Sequence, residues 1–189
     1  MDHRFETLAL HAGRVANEQA PSHATPVHRT SAYNFRDTGH AADLFALKEL
    51  GFIYTRIMNP TQDSLEKRIA ALDGGAAALA LASGTSAIYY SIINIAEAGD
   101  EIVSSSHLYG GTYTMFNDIL PHYGITTRFV EPTDLDGMRA AINAKTRAVF
   151  VETIGNPALT VPDLEAIAEL AHEHHLPLVG DSTFTTPYL

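Results

Sequence analysis

The sequence predicts an α/β fold, a mainly parallel sheet with helices on both faces, preceded by an extended N-terminal arm. Two observations carry the prediction. From about residue 77 onward, short apolar runs alternate with helix-length segments, the pattern of strands joined by helical crossovers. The composition, 46% hydrophobic and 18% charged over 189 residues, suits a globular chain with one core.

Residues 1–37 lack sustained helical or strand periodicity. They hold His11-Ala12-Gly13, Pro21 and Pro26, with a short extended piece over 32–35, and read as an arm lying on something else, such as another subunit. A helix fits 39–50, with Ala42, Phe45, Leu47 and Leu50 as its apolar face and Gly51 as its stop. A loop over 53–60 then places Tyr54 and Arg56 two residues apart. Pro60 opens a helix to residue 72, with Leu65, Ile69 and Leu72 on one face and Gly74-Gly75 ending it. Five strands follow, over 77–82, 101–104, 127–130, 147–151 and 178–180. Helices over 87–96, 112–122, 134–142 and 162–175 connect them, the last strongly periodic through Leu164, Ile167, Leu170 and Ala171.

Charge and composition exclude several classes. Lys and Arg number 12 against 22 Asp and Glu, a formal net charge of −10 spread without acidic blocks. That balance predicts neither nucleic acid nor membrane as partner. Without cysteine there is no disulfide and no thiolate metal site. The start carries no apolar signal core, which predicts a cytoplasmic protein. On a helix His172 and His175 would share a face, but the spacing is not H-E-x-x-H, and no metal is predicted. Glu66 and Lys67, like Asp134 and Asp136, read as solvated faces. Thr186-Pro187-Tyr188-Leu189 follows the last strand directly, so the chain reads as part of a longer domain.

In a parallel sheet, ligand sites form beyond the carboxyl ends of the strands. Four turns there carry unusual residues. Ser83-Gly84-Thr85-Ser86 runs into a helix, and free N–H groups at its positive end suit a phosphate; simple N-capping by Ser83 explains it equally well. His107-Leu108-Tyr109-Gly110-Gly111 puts an aromatic ring before two glycines, either a turn or a plate for a flat ligand. Glu152-Thr153-Ile154-Gly155-Asn156-Pro157 follows a buried strand, and Glu152 needs a partner if buried. Asp181-Ser182-Thr183 ends the final strand with a carboxylate, which either caps a turn or faces a ligand. A phosphate cradle, an aromatic plate, an amide and a carboxylate at one sheet edge suit a planar, phosphorylated, nitrogen-containing heterocycle.

Y-T-R-I-M-N-P-T, A-S-G-T-S-A, L-Y-G-G-T-Y, E-T-I-G-N-P and D-S-T-F-T-T-P-Y-L, in this order, resemble the pyridoxal-phosphate enzymes of cysteine and methionine metabolism. F-A-L-K-E-L-G-F-I-Y-T-R and E-T-I-G-N-P are most similar to the O-acetylhomoserine sulfhydrylases. The resemblance implies the aspartate-aminotransferase type of large domain, incomplete here, over 59–189, with 1–58 an arm and helix contacting a neighbouring subunit. It implies pyridoxal 5′-phosphate as cofactor. Gly84 and Thr85 would bind its phosphate, reached also by Tyr54 and Arg56 from a neighbour in a homodimer or homotetramer. Tyr109 would stack on the ring, Asn156 would bond the ring hydroxyl with Glu152 in support, Asp181 would pair with the ring nitrogen, and Thr183 would sit beside it. Tyr54 or Tyr109 would assist leaving-group protonation, making Tyr54, Tyr109 and Asp181 the expected catalytic set.

The implied reaction is γ-replacement on O-acetyl-L-homoserine by sulfide or a thiol, giving homocysteine or methionine and acetate in methionine biosynthesis. Cystathionine γ-synthase, cystathionine γ-lyase and methionine γ-lyase belong to the same family and remain alternatives. His28-Arg29 departs from the tyrosine many relatives carry there. The cofactor lysine and the carboxylate-binding arginine of the family are expected past Leu189; Lys48 and Lys67 on helices and Lys145 in a turn read as surface charges. A chain with no such lysine could instead bind the cofactor non-covalently or serve only in assembly.

Overall fold

Four parallel strands organise the second half of the chain: β1 (Glu101–Ser105), β2 (Thr126–Val130), β3 (Thr146–Glu152) and β4 (Leu178–Asp181), in the order β2-β1-β3-β4. The computed structural model describes residues 3–14 and 21–189. It divides into two units, Met1–Ala80 and Leu81–Leu189.

Strand β3 shows why the sheet takes helices on both faces. Its side chains alternate, and both sets are apolar. Ala148 and Phe150, with Ile102 of β1, pack against Ile92, Ala96, Met115, Phe116, Leu120 and Ile125. Val149 and Val151, with Val103, pack against Met138, Ile167, Leu170 and Ala171. The first layer draws on α4 (Gly84–Ile93) and the second on α6 (Leu135–Ala141) and α7 (Leu164–Glu173). Phe116 meets Phe150 edge-on at 4.9 Å between ring centroids, a geometry worth about 0.5–1.5 kcal/mol beyond buried area. Side-chain oxygens cap the helix starts: Ser83 for α4, Asp134 for α6 and Asp163 for α7. The chain runs from β1 out to β2, then returns across β1 to β3. The strand order therefore reverses between β1 and β3, the point where such sheets open a crevice.

Several expected elements differ. Residues 77–82 form no strand: the Ala80 N–H donates to Glu66 Oε1 at 2.8 Å instead of to a ladder. Glu66 is thus half-buried and bonded rather than solvated. The helix expected over 87–96 begins at Gly84. The one expected over 112–122 is three pieces: α5 (Gly110–Thr114), a π-helical turn (Met115–Ile119) and a 3-10 turn (Leu120–Tyr123). Pro121 supplies the cause, because a ring inside an α-helix clashes with the preceding turn and carries no N–H. Helix α7 ends at Glu173, and His175 is left-handed at φ 58°, so His172 and His175 do not share a helical face.

In the unit Met1–Ala80, the arm contains a helix that its sequence pattern did not signal, α1 (Phe5–His11); residues 1–2 and 15–20 lie outside the described residues. Helix α2 spans Thr38–Phe45, and α3 spans Pro60–Asp73. Gly13 packs on α3 so closely that a Cβ there would lie 2.3 Å from the Ser64 carbonyl oxygen, and Arg68 Nε donates to the Ala12 carbonyl at 2.9 Å. Small Ser64, 4% exposed, is therefore the buried residue of α3, while Leu65 of the expected apolar face is 52% exposed. Leu44 alone is buried on α2; Phe45, Leu47 and Leu50 are exposed, and Lys48 falls after the helix. The short extended piece pairs Ala32 with Tyr54 in an antiparallel bridge.

Candidate active site

A cavity of about 300 Å3 opens at the carboxyl edge of the sheet, lined by Gly84, Thr85, Ile88, Tyr109, Thr112, Glu152, Ile154, Asn156, Asp181, Thr183 and Phe184. Seven residues singled out in the sequence thus meet in one place, although 99 positions separate the first from the last. Tyr54 and Arg56 belong to the unit Met1–Ala80. Tyr54 is 40% exposed and Arg56 is exposed without an ion pair among the described residues.

Parallel register sets the acidic wall. Glu152 and Asp181 are directly paired residues at the ends of β3 and β4, on strands about 4.8 Å apart. Glu152 is 6% exposed. Its Oε1 accepts the Tyr109 N–H at 2.6 Å and its Oε2 the Asn156 N–H at 3.3 Å. One carboxyl group therefore holds the backbones of two separate loops. Burial pushes its pKa above the ordinary carboxylate value; the Tyr109 N–H opposes this, the Asp181 charge reinforces it, and the Asn156 N–H opposes it again. Asp181 is held differently. Its Oδ1 accepts both the N–H (2.9 Å) and the hydroxyl (2.5 Å) of Thr183, while Oδ2 carries no bond among the described residues.

The opposite wall is the start of α4. Ser83 Oγ accepts the Ser86 N–H at 3.1 Å, so Ser83 does act as the cap. That leaves the N–H groups of Gly84 and Thr85 without helical acceptors. A Cβ built on Gly84 meets nothing within 4 Å, so the approach to those groups is open. Tyr109 stands between, 52% exposed. Its ring folds back over Gly111, where a Cβ would lie 2.6 Å from Tyr109 Cε1. The second glycine thus makes room for the ring.

Anion donors at a helix start, an aromatic face, and a carboxylate oxygen awaiting a donor fit a phosphorylated pyridine. The three lysines do not line this cavity. Lys48 and Lys67 pair with Asp43 and Asp63 on the surface, and exposed Lys145 precedes β3, at the other end of the sheet. No group of three or more His, Asp or Glu able to hold a metal occurs among the described residues, and none of the helices described is long and apolar enough to cross a membrane.

Ile88, Thr112, Ile154 and Phe184 line the cavity without having been expected there. Thr112, Ile154 and Phe184 lie beside Gly111, between Glu152 and Asn156, and after Thr183, so the signal was adjacency; Ile88 lies one turn into α4, where the sequence reads only as an apolar helix position.

The fold and site define a parallel α/β domain with a candidate cofactor cavity at the carboxyl edge of its sheet. The chain belongs to the Cys/Met metabolism PLP-dependent enzymes, whose sequence profile matches residues 6–189. It is 55% identical over 179 residues to sulfhydrylase FUB7 of Fusarium oxysporum f. sp. lycopersici, covering 95% of this chain and 41% of the relative. Homocysteine synthase of Schizosaccharomyces pombe is 53% identical over 180 residues, 95% of this chain and 42% of that protein. The chain thus spans about two-fifths of the length of these curated relatives. A crystal structure from Campylobacter jejuni, described as an O-acetylhomoserine (thiol)-lyase with a pyridoxyl-lysine monophosphate, superposes with a TM-score of 0.96 at 39% identity. It covers all of this chain and 46% of that one. Pyridoxal 5′-phosphate is the cofactor of the family.

Proposed function

We propose that this chain forms the cofactor-cradling portion of an enzyme that replaces the γ-acetoxy group of O-acetyl-L-homoserine with sulfide or a thiol. The products are homocysteine, or methionine, and acetate. The observation that carries the reading is the shared cavity, with the unbonded Asp181 Oδ2 on one wall and the free N–H groups of α4 on the other. The sulfhydrylase assignment rests on the 53–55% identity to a homocysteine synthase and a sulfhydrylase.

The roles are those the family resemblance implies, and the donor set is compatible with them. Gly84 and Thr85 N–H groups bind the phosphate. Asp181 Oδ2 accepts the ring N–H, and its negative charge keeps that nitrogen protonated, raising its pKa by roughly 1–3 units. The cofactor, when bound, withdraws the electrons released as the substrate's α-proton leaves. Tyr109 offers its face to the ring, the Asn156 amide bonds the ring hydroxyl, and Glu152 holds both loops in position. Thr183 orients Asp181 through two hydrogen bonds. Tyr54 and Arg56 of a second copy reach the phosphate, which makes the working enzyme a homodimer or homotetramer, and Tyr54 or Tyr109 assists the departure of acetate.

The test uses a protein that carries this chain in full. Given O-acetylhomoserine and sulfide, it should release homocysteine and acetate in equal amounts. Release of a 2-oxo acid from cystathionine or methionine, with no homocysteine from the acetyl ester, would replace this reading with that of a lyase.

A further inference from the structure

The cavity-lining loops are held from outside the cavity by a residue that does not line it. His107 Nδ1 lies 2.8 Å from Thr160 Oγ1, and Nε2 lies 3.1 Å from Glu131 Oε2. Glu131 also accepts from Ser106 Oγ at 3.0 Å, and the His107 N–H donates to Ser105 Oγ at 3.2 Å. One imidazole therefore ties together the loop after β2, the turn carrying Tyr109, and the loop carrying Asn156. A neutral ring protonated on Nε2 satisfies both contacts, donating to Glu131 and accepting the Thr160 hydroxyl proton.

The path from His107 to the cavity is short. The Thr160 carbonyl accepts the Gly155 N–H at 2.8 Å, and the Gly155 carbonyl accepts the Leu159 N–H at 2.7 Å. These bonds close a tight loop over 155–160, with Asn156 at its start. Gly155 in turn presses on His107: a Cβ there would lie 2.9 Å from both the His107 Cβ and its carbonyl oxygen. Glu152 holds the near side of this loop through the Asn156 N–H, and His107 holds the far side through Thr160.

We infer that His107 is a positioning residue, which sets Asn156 and Tyr109 at ring-contact distance by clamping Thr160 and Glu131; the inference rests on the cofactor reading above. It acts on the ring-contacting loops and not on the phosphate-binding start of α4. Its removal therefore separates recognition of the ring from recognition of phosphate.

The experiment measures equilibrium binding of pyridoxamine 5′-phosphate, which has no aldehyde to react with lysines, and of inorganic phosphate, to the cofactor-free form of a protein that carries this chain in full. Relative to the unsubstituted protein, His107→Leu should weaken pyridoxamine 5′-phosphate binding about tenfold, the effect of losing one or two hydrogen bonds. Phosphate affinity should stay within about twofold, smaller than the loss of one hydrogen bond. Thr160→Val, which keeps the side-chain shape, should cost about threefold. His107→Asn, whose amide reaches Thr160 from the place of Nδ1 but does not reach Glu131, should recover about threefold, the share that Thr160 carries. Equal loss for both ligands, no loss in either variant, or no recovery with asparagine would each overturn the positioning role. If the unsubstituted protein binds pyridoxamine 5′-phosphate no better than phosphate, the cofactor reading fails, and this inference with it.

Discussion

The two ends of the same sheet treat their carboxylates in opposite ways. At the amino edge, Glu101 of β1 accepts from Arg128 of β2 and, at 2.8 Å, from Asn143; its pKa is pulled down to about 2, first by Arg128 and then by Asn143. Asp100 beside it pairs with Arg147 at 2.9 Å. At the carboxyl edge, Glu152 and Asp181 face no cation among the described residues, and burial raises the pKa of Glu152. Paired charge closes one end. Adjacent carboxylates leave the other without a cation, the place that a protonated pyridine nitrogen would take on the proposed reading.

The largest expected effect tests that contrast at its centre. In a protein carrying the whole chain, Asp181→Asn removes the charge proposed to keep the ring nitrogen protonated, and turnover should fall roughly a hundredfold or more, the scale of losing one key electrostatic contact. Near-normal turnover would remove Asp181 from the proposed role.

Next comes pH dependence, where the two edges should have slopes of opposite sign. Glu101 has a depressed pKa, so its contribution is present above the ordinary carboxylate value and is lost as pH falls toward 2. Urea titrations of Glu101→Gln should show a deficit at pH 7 that disappears near pH 2. Glu152 has a raised pKa, so the folded chain holds this proton more tightly than the unfolded one. Its contribution is present at low pH and is lost as pH rises from the ordinary carboxylate value through the raised one. Glu152→Gln should flatten that part of the profile. An unchanged profile would mean that burial does not govern this group.

The smallest effect is local. Gly111→Ala forces the Tyr109 ring off its resting place, and because a side-chain end can move, stability should drop by less than about 1.5 kcal/mol. Tyrosine fluorescence on addition of pyridoxamine 5′-phosphate should change more than the unfolding midpoint does.

Much of this was legible in the sequence because it was local. The runs 101–104, 147–151 and 178–180 fall within β1, β3 and β4, since buried parallel strands need continuous apolar segments. The turn motifs ending them carry most of the cavity lining. What escaped depends on distant partners. A strand exists only with a neighbour, and residues 77–82 read as one until Ala80 is seen bonding to Glu66. Helix α1 is held by the approach of Gly13 to Ser64, 51 positions away. The His107 clamp joins residues 24 and 53 positions apart, and no spacing rule links them. Gly155 was the one clue, a glycine in E-T-I-G-N-P whose need for space became apparent only with His107 against it.

The register of β3 with β4 carries a consequence for insertions and deletions. Because paired residues alternate faces, lengthening or shortening either strand by one position turns one carboxylate toward the opposite helix layer. Many side chains along these strands could be exchanged for others of similar volume without moving Glu152 or Asp181. A single inserted or deleted codon would separate them.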